Sequence, residues 1–319
     1  MNFMLLNVNA HKLCAVVAIL LTQGLSGSNA FADEHLFNLA YTSEVLPKSG
    51  MEFQQLIASR WDKGMGSYLA NDLETEIEYG ITDRLQISGY LLTQNIHIKN
   101  AFPHEAVDDG FGNISEGDRL YPNRNFTGFS GLKAQLKYNV MSPYLNDGWG
   151  LSFTVEPQYK ARFKVDGSKT RAYEVEAGVQ VQKNFLDDQL ITTFNSYLTQ
   201  EYRVLLEDNG TVEHEREWSN FIAATYRVAP NWYVGLETRH HMDVLKDPDT
   251  GRYKKNQYSW YVGPTVHYTT KAWWATVGYY RQIMGNPTYA TPAFDGVDSN
   301  LHLDENEKNE LRVRVGFDF

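Results

Sequence analysis

Apolar and polar residues alternate along most of this chain with the two-residue period of a β-strand. In Leu73-Glu74-Thr75-Glu76-Ile77-Glu78-Tyr79 three carboxylates share one face and an apolar stripe forms the other. Leu132-Lys133-Ala134-Gln135-Leu136-Lys137-Tyr138 repeats the scheme with the opposite charge. Trp149 to Glu156 and Tyr173 to Val181 follow it, and further segments start near Leu85, Leu190, Trp218, Trp232, Tyr258 and Trp273. A segment around Glu52 to Trp61 is irregular, and its faces cannot be assigned from the pattern. The last nine residues alternate cleanly: Leu311, Val313, Val315, Phe317 and Phe319 share one face, Arg312, Arg314 and Gly316 the other. About twelve strands of roughly ten residues are predicted.

The connectors alternate in length. Tight turns are expected at Ile81–Arg84, Ser142–Gly148, Leu186–Asp188, Ala229–Asn231 and Thr269–Ala272. The intervening connectors are longer: Lys99 to Thr127, Glu207 to Glu215, Asp243 to Asn256 and Met284 to Lys308. Aromatic residues gather at segment ends. Tyr138, Trp149, Tyr226, Trp232, Tyr268 and Trp273 flank the tight turns, while Tyr173, Trp218 and Tyr258 lie toward the longer connectors.

Two aromatic belts, short turns on one side and long loops on the other define a transmembrane β-barrel. The fold class is all-β: an antiparallel up-and-down transmembrane barrel of about twelve strands, its irregular first segment closing on the terminal strand. Past residue 32 no apolar run is long enough for a membrane helix. The terminal aromatic strand resembles the one that the insertion machinery of bacterial outer membranes reads, which makes that machinery a partner through Phe319. The stretch Leu39 to Gly50, followed by Glu74 to Leu85, resembles a family of uncharacterised proteobacterial outer-membrane barrels. The resemblance implies a porin-like fold and an outer-membrane location, and it implies no catalytic residue.

The N-terminus changes the picture of the ends. Lys12, the apolar run Leu13–Leu21 and Ala30-Phe31-Ala32 read as an export signal over residues 1–32, leaving a single domain over 33–319. Its removal takes the only cysteine, Cys14, and with it any disulfide or thiol chemistry. An even strand number then places both termini in the periplasm. The formal charge of −10, with no basic cluster, argues against nucleic acid as a partner. Outer-membrane lipids and lipopolysaccharide are the expected surroundings.

If the apolar stripes face lipid, the other faces list the lumen: Glu74, Glu76, Glu78, Lys133, Lys137, Glu156, Lys160, Glu174, Glu176, Glu237, Arg239, Arg312 and Arg314. Their signs nearly balance. Glu174 and Glu176 stand half-way round the barrel from Arg312 and Arg314. They either set up a transverse field across an open lumen or are bridged by neighbouring charges in a filled one. A porin-like channel for passive diffusion or uptake of a small solute is the leading reading. The alternatives are a lipid-modifying hydrolase and a structural or adhesive barrel that displays its outer loops. For the hydrolase, turn register places Asn220 opposite His240 on the outward face with Thr238 nearby, but no serine holds the nucleophile position. Asp247-Pro248-Asp249-Thr250-Gly251 and Asp108-Asp109-Gly110 lack the spacing of a calcium loop, so neither metal nor cofactor is expected. Sequons at Asn113, Asn125 and Asn209 carry no weight in a bacterial exported protein.

Overall fold

The computed structural model of the chain describes residues 35–102, 123–247, 250–286, 300–303 and 305–319. The stretch read as an export signal, the Asp108 and Asn113 motifs and most of the two longest connectors lie outside these residues. Twelve strands follow in order: β1 Met51–Trp61, β2 Met65–Thr82, β3 Leu85–Phe102, β4 Arg124–Met141, β5 Trp149–Arg162, β6 Lys169–Phe185, β7 Leu190–Leu205, β8 Thr211–Ala229, β9 Trp232–Lys246, β10 Tyr253–Thr269, β11 Trp273–Gly285 and β12 Asn309–Asp318. Each pairs antiparallel with its neighbours in sequence, and β12 returns to β1, from Glu52 opposite Asp318 to Trp61 opposite Asn309. The ring is closed. No strand keeps an unpaired edge, as a wall facing lipid requires.

The alternation places the faces as expected. Leu132, Leu136, Val155, Val175, Leu198, Ile222 and Leu236 are exposed on the outside, while Gln135, Lys137, Thr154, Glu174 and Glu237 are buried inside. The irregular β1 resolves by register: Gln54, Leu56, Ala58 and Arg60 point inward. Outward Gln55 and Ser59 are met by the hydroxyl of Thr75 and the side chain of Asn71, at 2.8 and 2.7 Å. At the short-turn end Trp232, Tyr268 and Trp273 pack in sequence, with ring centres 4.7 and 5.3 Å apart. At the other end Trp61 meets Tyr279, and Tyr159 meets Tyr173. Asn231 takes the left-handed conformation in its turn (φ 69°), which asparagine tolerates.

Strand ends differ from the expectation. Strands β2, β3 and β4 each run 18 residues. A span needs only about 9–11. The connectors expected at Glu207–Glu215 and Asp243–Asn256 therefore shrink to 206–210 and 247–252. Above the lipid both faces meet water or protein, so the hydrogen-bond ladder continues where the hydrophobic alternation has stopped.

Outward Trp218 and Tyr226 mark the two belts on β8, about 27 Å apart along the strand, with Ile222 midway. The substitution Ile222→Arg should therefore cost about 2–4 kcal/mol in urea titrations of vesicle-folded protein, and Val228→Arg, beyond the short-turn belt, about 0–1 kcal/mol. Equal costs would refute this placement of the membrane.

Candidate functional site

The barrel is filled from its short-turn end by the chain that precedes β1. Residues 35–50 enter the lumen and run round its inner wall, passing β11 and β12, then β9, β7, β6, β3 and β2. His35 stacks on Trp274 (5.1 Å) and takes a hydrogen bond at Nδ1 from Arg314 (2.7 Å), which leaves its Nε2 facing Glu78 (3.3 Å). The amides of Asn38, Leu39 and Ala40 all donate to the carboxylate of Glu237, at 2.9, 2.7 and 3.0 Å, and the Tyr280 hydroxyl adds a fourth donor at 2.7 Å. The next acceptors are Asn195 for the Tyr41 amide (2.6 Å), Gln182 for Ser43 (2.8 Å) and Gln86 for Leu46 (2.6 Å). Only at Ser49 and Gly50 does the segment begin backbone pairing, with Gly80. Two wall positions need glycine for close approach. A Cβ on Gly80 would lie 2.0 Å from the Pro47 carbonyl, and one on Gly150 would lie 2.0 Å from the Ser43 hydroxyl.

The segment forms a septum. On the short-turn side Leu36, Glu44, Val45 and Pro47 line a vestibule of about 1320 Å³. On the other side Leu39 and Tyr41 floor a chamber of about 280 Å³. Its upper wall comes from two inward-folded connectors. In 163–168, the Val165 carbonyl accepts from the Tyr68 hydroxyl (2.7 Å). In 300–303 and 305–308, the backbone of His302 is held from both sides by the Gln282 amide (2.6 and 2.8 Å), and Glu307 pairs with Arg60 (3.2 Å). A recess of about 230 Å³ beside the chamber shares Glu74, Lys133, Lys160, Glu176 and Arg312 with it.

All thirteen charged residues assigned to the lumen from the sequence point inward, but they do not line one passage. Glu78, Glu237 and Arg314 hold the septum, Glu76 lies in the field of His35 and Arg314, and Lys137 is buried 5.9 Å from the Tyr41 ring. The rest surround the chamber in local pairs. Lys133 lies between Glu74 and Glu156, 3.4 Å from each; Lys160 pairs with Glu174; Arg239 pairs with Glu310 (2.9 Å). Glu176 accepts from Thr199 (3.1 Å), and Arg312 reaches Glu310 (3.2 Å). Of the four residues expected to oppose one another across the lumen, Glu174, Glu176 and Arg312 share the recess. The septum covers Arg314, because its guanidinium is one of the segment's fastenings.

Sequence reasoning missed the segment, which it treated only as a resemblance. Two signals pointed to it. Leu36-Phe37-Asn38-Leu39-Ala40 is too apolar for a tether in water, and β7, β8, β9, β10 and β11 turn Ile191, Phe221, Ala223, Tyr233, Tyr261 and Tyr280 inward. The structure packs these groups together. Among the described residues three groupings of carboxylates, two of them with a His, could hold a metal ion: His35/Glu52/Glu78, Glu217/His241/Asp243 and Glu215/Asp243/Glu305. In the second and third, protein groups already engage ligand atoms: His241 bridges Glu217 and Asp243 at 2.9 Å each, and Arg203 holds Glu215 at 2.8 Å. On the outside, Asn220 does face His240 (3.3 Å) in register. His240 packs on Trp260 (4.6 Å), and the Thr238 hydroxyl donates to the Ile222 carbonyl instead of the imidazole.

A closed twelve-stranded barrel with an apolar outer band, two aromatic belts and a charged interior is an outer-membrane β-barrel. The chain belongs to a family of unknown function, DUF6662, which it matches over residues 29–319. Its fold is similar to that of the COG4313 outer-membrane channel from Pseudomonas putida F1, with a TM-score of 0.57 at 12% identity, covering 87% of this chain and 98% of that one. Lower similarities reach the NanC porin (TM-score 0.44, 11% identity, 84% and 98% covered) and the KdgM porin (0.41, 10%, 85% and 99%). No curated protein matches the chain by sequence.

Two outcomes follow from these fastenings. Glu237→Gln removes the charge that three amides share, a loss of about 1.5–3 kcal/mol. Hydrogen exchange at Asn38, Leu39 and Ala40 should then accelerate about 10- to 150-fold, with the β8–β9 ladder unchanged; unchanged exchange would show that the carboxylate does not hold the segment. The second outcome concerns acid. Burial pushes the His302 imidazole down from 6.5 to about 4. The released connector therefore binds a proton that the docked one refuses, so docking is strongest above about pH 6.5 and weakens as pH falls toward 4. Proteolysis of 300–308 at pH 4.5 and pH 7.5 measures this; His302→Asn should remove most of the difference.

Proposed function

We propose that this protein is a porin-like channel of the Gram-negative outer membrane for a small solute, held shut in this conformation by residues 35–47. Its short turns and both ends of the mature chain, 33–319, lie in the periplasm after an export signal over 1–32 is removed. The strand ending in Phe319 is what the insertion machinery engages, and the outward band contacts outer-membrane lipid and lipopolysaccharide. One observation carries the reading: the septum is fastened to the wall by side-chain acceptors and not by a β-ladder. It can leave without breaking a single strand pair, and its departure would join the chamber to the vestibule. The hydrolase reading lacks a nucleophile within reach of His240 among the described residues.

Planar-bilayer recordings test the channel. Wild-type protein should show small or rare openings, and the chain lacking residues 35–46 a conductance at least about tenfold higher. Folding is checked by the heat-dependent gel mobility that folded barrels show. A folded deletion variant that does not conduct would overturn the channel and favour a structural or adhesive barrel.

A further inference from the structure

The cations of the chamber are not equally compensated. Arg60 is shared by Asp72 (2.8 Å) and Glu307 (3.2 Å), and Lys133, Lys160 and Arg239 have the carboxylates described above. Lys164 has no carboxylate within ion-pair distance among the described residues. Among the described residues Arg162 donates only to the Gly167 carbonyl (3.2 Å), and it lies over the Phe126 ring (4.1 Å). Among the described residues the Arg312 guanidinium has one ion pair, to Glu310, which Arg239 already holds more closely. All three line both the chamber and its recess. The recess carboxylates are mostly spent: Asp72, Glu74, Glu174 and Glu310 are in ion pairs and Glu217 meets His241. Among the described residues Glu176 has only the Thr199 hydroxyl.

Lys164 is placed there by its backbone. The Lys164 carbonyl accepts from Arg60 and from the Gln94 amide, each at 2.8 Å. Its neighbours Phe163 and Val165 are packed against Tyr68, Ile96 and Ile98. The connector is thus pinned along the wall, with its lysine side chain facing the cavity. Enclosure and the adjacent Arg60 guanidinium push the Lys164 amine below the ordinary lysine range. A cation in such a place is costly unless an anion joins it.

We propose that Lys164, Arg162 and Arg312 form a binding site for a small oxyanion, a carboxylate or phosphate group, on the solute that enters the chamber. Lysine supplies a compact charge, and the two guanidiniums supply the planar forks that oxyanions accept. The role as a solute site rests on the channel reading, but binding itself does not. The test is calorimetric titration of inorganic phosphate, and separately succinate, into the detergent-folded protein at constant ionic strength. It is run on the wild type and on the chain lacking residues 35–46, so that a shut septum cannot hide the site. Saturable binding is expected, weakened at least about tenfold by Lys164→Gln and by Arg162→Gln and unchanged by Arg84→Gln in a short turn. Binding no stronger than that of chloride, or binding indifferent to Lys164→Gln, would overturn the proposal. Conductance without phosphate binding would sink the site and leave the channel; phosphate binding without conductance would do the reverse.

Discussion

Lipid offers no hydrogen-bond partner, so every backbone N–H and C=O of a strand that faces it must be met by another strand. The closure of β12 on β1 is the consequence, and the interior inherits a second one. Once the ring is complete, the wall has no backbone groups left to give. A segment that enters the lumen cannot pair with it as a strand, yet its own amides still need acceptors. They find them on the inward side chains of Glu237, Asn195, Gln182 and Gln86. The carboxylate and carboxamides on the inner face therefore act less as a selectivity lining than as a rack for a foreign piece of backbone.

This arrangement separates two energies. The ladder holds the barrel as one cooperative object, whereas the segment is held by discrete contacts, each worth about 0.5–1.5 kcal/mol, or about 1.5–3 where the partner is charged. The septum can therefore be released at a cost the barrel does not share. The charges around the chamber obey the same economy of burial. Most are paired with the nearest opposite sign because an enclosed charge is expensive alone. The exceptions gather beside the inward connector at Lys164.

The elements read from the sequence were those fixed by contact with lipid. A strand in the apolar band must alternate, so its existence and the direction of its faces were legible from Leu73–Tyr79 to Leu311–Phe319. Read as a three-residue turn, Ala229–Asn231 set Asn220 opposite His240, and the observed pairing of Ala229 with Trp232, followed by a bulge before Arg227, reaches the same register. Above the band the alternation ends and the ladder does not, so the tops of β2, β3 and β4 were illegible. The irregular faces of β1 had a related cause: Gln55 and Ser59 point to lipid but are satisfied by Thr75 and Asn71 on β2, partners that no local pattern names.

The candidate site was legible only by parity. Inward orientation of the thirteen charged residues followed from a two-residue period, a local property of the backbone. What those residues do depended on what shares the lumen with them. Glu237 became the anchor of three amides, Arg314 a fastening for His35, and Lys164, absent from any alternating segment, a cation facing the chamber. The sequence by itself determined the membrane-spanning wall, because burial in lipid acts on each strand separately through the period of its side chains. Only the tertiary structure decided how the interior is filled, because those contacts join residues far apart in the chain whose meeting leaves no periodic trace.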